Sequence, residues 1–151
     1  MDHNVFEIEA RVENLPRVLD FLDDKLKELN CSKKEHAQIR IVAEEIFVNI
    51  SSYAYAPGTG QAVIQAVTSA QENSIVLTFI DSGDPFDPLK KEDPDITKKV
   101  SERKPGGLGI FYVKKKVDSM TYEYSDGRNI LTMKKIFYGE AVKAADNDGV
   151  H

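Results

Sequence analysis

A single cysteine, Cys31, no tryptophan and three scattered histidines deprive this 151-residue chain of several kinds of chemistry. One thiol cannot close an internal disulfide, so a reducing compartment, the cytoplasm, is the expected setting. His3, His36 and His151 lie far apart with no second cysteine nearby, and their spacing offers no zinc site. No apolar run approaches the length that spans a bilayer, and no membrane association is expected. The opening Met1-Asp2-His3-Asn4 has no basic stretch followed by an apolar one, so no secretory signal is expected either. An excess of positive charge is also missing. With 20 basic against 25 acidic side chains the net charge is −5, which argues against direct binding to nucleic acid.

What remains is an ordinary globular composition, 41% hydrophobic and 30% charged, at a length that suits one domain with a proper core. Residues 5–12 partly alternate and read as an opening strand. Asn14 is placed to cap a helix starting near Pro16 and reaching Asn30, through Val18, Leu19, Leu22, Leu26 and Leu29 at helical spacing. Ser32 is placed to cap a longer helix running to about Ala56, where Pro57-Gly58 stops it. Residues 61–68 and 74–81 read as strands. In the second, Ile75, Leu77 and Phe79 alternate with Val76 and Ile80, the pattern of a central strand in a covered sheet.

Residues 84–105 are rich in Pro, Asp, Lys and Glu without periodicity, a long excursion of the kind that often serves as a lid. A helix follows Gly109, and 120–124 with 130–137 form a closing hairpin turned at Asp126-Gly127. The domain is expected to occupy 1–138, and the small, polar tail 139–151 is expected to fray. The layout is α+β: a two-layer sandwich with a mixed, mostly antiparallel sheet covered on one face by helices.

Three segments carry chemistry. Glu45 and Asn49 stand one above the other on the second helix, beside its apolar stripe of Ile39, Val42, Ala43, Ile46, Ile50 and Tyr53. A carboxylate and an amide oxygen suit Mg²⁺, and the carboxylate can take a proton from a hydroxyl; solvated helix-surface residues are the plain alternative. Asp81-Ser82-Gly83 follows the apolar strand, where an acid can accept from a ligand's amino group, although the same residues also make turns. Gly106-Gly107-Leu108-Gly109-Ile110 opens a helix and can turn backbone N–H groups toward a phosphate. No Gly-Lys-Ser/Thr follows and no third spaced glycine appears, so it is neither a P-loop nor a dinucleotide fingerprint. Alone it is equally a flexible connector.

Taken in order, Glu-x-x-x-Asn, Asp-x-Gly and Gly-x-Gly resemble the N, G1 and G2 boxes of the GHKL (Bergerat-fold) ATPase/kinase superfamily. The run 81–88, the run Gly107-Leu108-Gly109-Ile110-Phe111, and the ending Val117-Asp118-Ser119-Met120-Thr121-Tyr122 with Gly127-Arg128-Asn129 most resemble its anti-sigma-factor serine kinases. The resemblance extends from about Val5 to Phe137. It implies ATP and Mg²⁺ as cofactors, with Asn49 on the metal and Glu45 as general base toward a serine hydroxyl. It implies Asp81 on the adenine amino group, Gly83 making room for the base, and main-chain N–H groups of Gly106, Gly107, Leu108, Gly109 and Ile110 at the phosphates. Residues 84–104 would form the lid, with Arg103 and Lys104 as candidate cations for the transferred phosphoryl group.

The implied partners are a sigma factor and a small STAS-type anti-anti-sigma protein, and a homodimer is implied by the same analogy. Two departures stand out. Tyr53 occupies a position where the family often has His, and Pro105-Gly106 separates Lys104 from the Gly-x-Gly turn. The competing readings are a non-catalytic ATP-dependent binding module, a detached histidine-kinase catalytic domain, for which this chain shows no helical dimerisation segment, and a metal hydrolase, which the histidine spacing disfavours.

Overall fold

Ser32 and Glu35 start the longest helix by a reciprocal cap. The Ser32 hydroxyl accepts from the Glu35 N–H at 3.0 Å, and the Glu35 carboxylate accepts from the Ser32 N–H at 3.0 Å. The computed structural model, which describes residues 3–90 and 107–140, places this helix, α2, at Lys33–Asn49. α1, Leu15–Leu26, precedes it and ends one turn earlier than the periodicity predicts. Asn14 does not cap α1. Its backbone is near-helical (φ −90°, ψ −1°), at the end of a 3₁₀ turn Val12–Asn14, and its side-chain amide donates instead to the Glu9 carbonyl at 2.9 Å.

Five strands follow the expected segments: β1 Val5–Glu9, β2 Gln61–Ser69, β3 Ser74–Asp81, β4 Ser119–Ser125 and β5 Arg128–Ile136. They form one sheet in the order β1-β2-β3-β5-β4, and every neighbouring pair is antiparallel rather than mixed. The third helix, α3, covers Gly107–Lys116, so Gly107 and Gly109 lie inside its first turn rather than ahead of it.

β3 is central, as its apolar text predicts. Ile75, Leu77 and Phe79 are buried with Val18 and Leu22 of α1, Ile39, Val42, Ala43, Ile46 and Phe47 of α2, and Ile110 and Val113 of α3. Val76 and Ile80 point to the other face and are only half-buried, so the described helices cover a single face of the sheet. Two helices are further joined by polar contacts: Asp23 of α1 pairs with His36 at 2.8 Å and with Arg40, one turn apart on α2. Burial pushes the Asp23 carboxyl up, but the hydrogen bonds and charges of Arg40 and His36 outweigh it and hold the group below its ordinary value.

Beyond Asn49 the helix does not continue in α form to Ala56. It widens into a π-helical turn over Ile50–Ala54. The changed pitch keeps Ile50 in the core but turns Tyr53 outward, where it is 64% exposed, so Tyr53 is not part of the apolar stripe. At the far end of the chain, Gly139 is held by the Glu35 carboxylate at 2.9 Å, and the Glu140 carboxylate accepts from the Lys33 N–H at 3.2 Å. The first two residues of the expected frayed tail are thus anchored, and the remainder lies outside the described residues.

Candidate functional site

The C-terminal end of β3, the last turn of α2 with its π-helical extension, and the first turns of α3 enclose one cavity of about 420 Å³. Its size is that of a small-ligand pocket. Asn49, Tyr53, Asp81, Phe86, Ile110 and Asn129 contribute to its walls. Three expected site residues, Asn49, Asp81 and Ile110, therefore come together although they are distant in sequence. No group of three or more His, Cys, Asp or Glu side chains able to hold a metal occurs among the described residues. The Asn49 side chain at the cavity wall offers one amide oxygen, the kind of single protein ligand that a Mg²⁺ ion carried on phosphate oxygens can use.

Asp81 is 7% exposed. Its Oδ1 accepts from the Gly83 N–H and from the Asn129 side-chain amide, both at 2.9 Å. The two donors fix the carboxylate plane, and Oδ2 accepts from no described residue. An acceptor of this kind at the cavity wall matches an amino group on a flat heterocycle.

Asn129 closes the Gly127-Arg128-Asn129 run, but the resemblance assigns it no role. It sits opposite Asp81 in the β3–β5 register and is equally buried, at 7%. Its amide donates to Asp81 and to the Asp84 carbonyl at 2.9 Å, with the Gly83 carbonyl at 3.4 Å. Its side-chain oxygen accepts from the Phe86 N–H at 3.0 Å and from the Tyr122 hydroxyl. One amide thus ties the acid to the chain leaving β3. Its other sequence signal is a polar residue on the inward face of β5, where Leu131 and Met133 are apolar and buried.

Gly83 is required by the packing of the chain itself. A Cβ there would lie 2.1 Å from the Ala54 carbonyl oxygen and 2.6 Å from its carbon, and the Asp84 N–H donates to the same oxygen at 3.2 Å. The loop after β3 is packed against the π-helical turn through backbone, which cannot move aside cheaply. Gly83→Ala is expected to destabilise the fold by about 1–3 kcal/mol, measured as a lowered urea midpoint at unchanged slope.

Glu45 lies one helical turn before Asn49, half-buried beside the cavity rather than in its wall. Burial raises its pKa above the ordinary glutamate value, and the neighbouring Glu44 carboxylate adds to the effect. A carboxylate made more basic in this way is better suited to accept a proton. Its Oε2 lies against Gly109 of α3. Gly107 and Leu108 belong to the first turn of α3. Arg103, Lys104, Gly106 and most of the expected lid lie outside the described residues.

This arrangement of a helix-borne Glu and Asn, a strand-end Asp and a glycine-opened helix around one cavity agrees with comparison to known proteins. The family model of the histidine kinase-like ATPase domain matches residues 8–135, and the chain belongs to that family. A 95-residue stretch is 27% identical to the "Serine/threonine-protein kinase BtrW" of Bordetella bronchiseptica (strain ATCC BAA-588 / NCTC 13252 / RB50). That match covers 63% of this chain and 66% of the relative, just under two-thirds of its length. No described helix is long and apolar enough to cross a membrane.

Proposed function

We propose that this chain binds Mg–ATP in the cavity and transfers the γ-phosphoryl group to a serine of a STAS-type protein partner, acting as an anti-sigma factor with kinase activity. The observation that supports this reading most is the convergence of Asn49, Asp81 and Ile110 of α3 on one pocket, with Glu45 beside it against Gly109. Asp81 receives the adenine amino group on the oxygen that has no partner among the described residues. Asn49 supplies an amide oxygen to Mg²⁺, which neutralises charge on the phosphate oxygens. The first-turn N–H groups of α3, with the positive end of the helix dipole, face the phosphates. Glu45 takes the proton of the attacking serine hydroxyl as the new P–O bond forms and ADP leaves. Arg103 and Lys104 are the cations assigned to the transferred group. The STAS-type partner, the sigma factor and a cytoplasmic site of action belong to the same proposal and rest on the motif resemblance and the single cysteine.

The test is capture of partners from the native cell extract on the purified protein, with and without Mg–ATP, followed by incubation of the captured protein with γ-labelled ATP. Label on a serine of the captured protein is the expected result. ATP-dependent capture with no label in the partner overturns the kinase reading in favour of a passive binder. Asn49→Ala is expected to weaken Mg–ATP binding about tenfold or more, read by calorimetry, while nucleotide binding without Mg²⁺ changes little.

A further inference from the structure

Among the described residues the glycines with left-handed backbone are Gly127 (φ 75°) and Gly139 (φ 76°). Gly109 is not one of them, so its backbone conformation does not call for glycine. It lies within α3, Gly107–Lys116, where alanine is the better helix former. The demand is for space. A Cβ on Gly109 would lie 2.1 Å from Oε2 of Glu45, 3.0 Å from its Cδ and 3.6 Å from its Cγ. The contact is with the tip of one flexible side chain, whereas a Cβ on Gly83 would meet backbone.

We infer that Gly109 is a positioning residue for Glu45: the missing side chain on α3 is the seat in which the Glu45 carboxylate is held beside the cavity. The inference rests on the kinase reading for its consequence in phosphoryl transfer, and on geometry alone for the seat itself. A methyl group here evicts the carboxylate without disturbing the hydrophobic core, because the Glu45 tip can swing aside by rotation of its side chain. The three heavy atoms nearest that methyl all belong to Glu45. Gly109→Ala should therefore change the surroundings of the Glu45 carboxylate, which a glycine whose role is only to bring main chain close to phosphate would not do.

The experiment is a double-mutant cycle on the full chain with Glu45→Gln, Gly109→Ala and the combination. Mg–ATP affinity is read by calorimetry, and transfer is read on the partner captured as described above. Gly109→Ala is expected to lose transfer about a hundredfold or more at saturating Mg–ATP. In the Glu45→Gln background the added alanine is expected to cause no further loss, because the group it displaces is already inactive.

A second readout is independent of turnover. The carboxyl ¹³C resonance of Glu45, assigned by its disappearance in Glu45→Gln, is titrated in the parent chain and in Gly109→Ala. Its midpoint is expected to fall toward that of an ordinary glutamate when the carboxylate is pushed into solvent. If the parent chain transfers no phosphate, the kinase reading fails and this titration alone decides the inference. An unchanged Glu45 titration, independent multiplicative losses in the cycle, or loss of folding in Gly109→Ala would each overturn it.

Discussion

Glu45→Gln is expected to lower phosphoryl transfer about 10²–10⁴-fold while Mg–ATP affinity stays within about threefold. Glutamine has the same shape and still fills the space against Gly109, so the change removes proton acceptance and little else. Burial and Glu44 raise the pKa of Glu45, so its base form is lost at a higher pH than for an exposed glutamate. The sign follows directly. As pH falls through that raised value the carboxyl takes up a proton and ceases to act as a base, so kcat/KM declines on an acid limb shifted upward. The residual rate of the Glu45→Gln protein should show no such limb. Undiminished transfer in that protein would remove Glu45 from the mechanism.

Asn129→Ala should do the larger structural damage. It leaves the Tyr122 hydroxyl and the Asp84 carbonyl without their shared partner and removes one of the two donors to Asp81. Each buried polar group left unpaired costs about 1–3 kcal/mol, and water reaching the cavity offsets part of this, so a net loss of about 2–4 kcal/mol is expected. Urea unfolding measures it. Nucleotide affinity should fall about tenfold or more as well, because Asp81 is then free to rotate its carboxylate out of line.

Asn129→Asp separates the two effects. It keeps the acceptor toward Phe86 and Tyr122 but sets a carboxylate against Asp81. One of the two acids then holds a proton well above the usual carboxylate range, and nucleotide binding recovers as pH is lowered and the shared proton restores the bridge. A variant at Asn129 that binds nucleotide like the parent chain would show that Asp81 is positioned by other means.

Local chemistry determined much of this molecule. The capping box of Ser32 and Glu35 needs only four consecutive residues, so the start of α2 could be read directly. The alternation in 74–81 named the inward residues of β3, because side chains on a strand switch faces at every step. The Glu45–Asn49 spacing placed both on one face of a helix for the same kind of reason. Where a local pattern had two physical solutions, the sequence alone did not choose. Asn14 could cap α1 or bond back to Glu9, and the packing of β1 against the turn selected the second. The stretch after Asn49 could continue as α-helix, and the π-helical turn that packs against Gly83 instead turned Tyr53 outward.

The decisive features of the site belong to the tertiary structure alone. Asn129 becomes the partner of Asp81 only through the β3–β5 register, and no spacing rule joins residues on strands separated by a helix and a hairpin. Gly109 reads in sequence as part of a phosphate-facing turn. Only the packing of α3 on α2 shows that its empty side faces Glu45, because that is where the two helices leave room for a carboxylate and none for a methyl group.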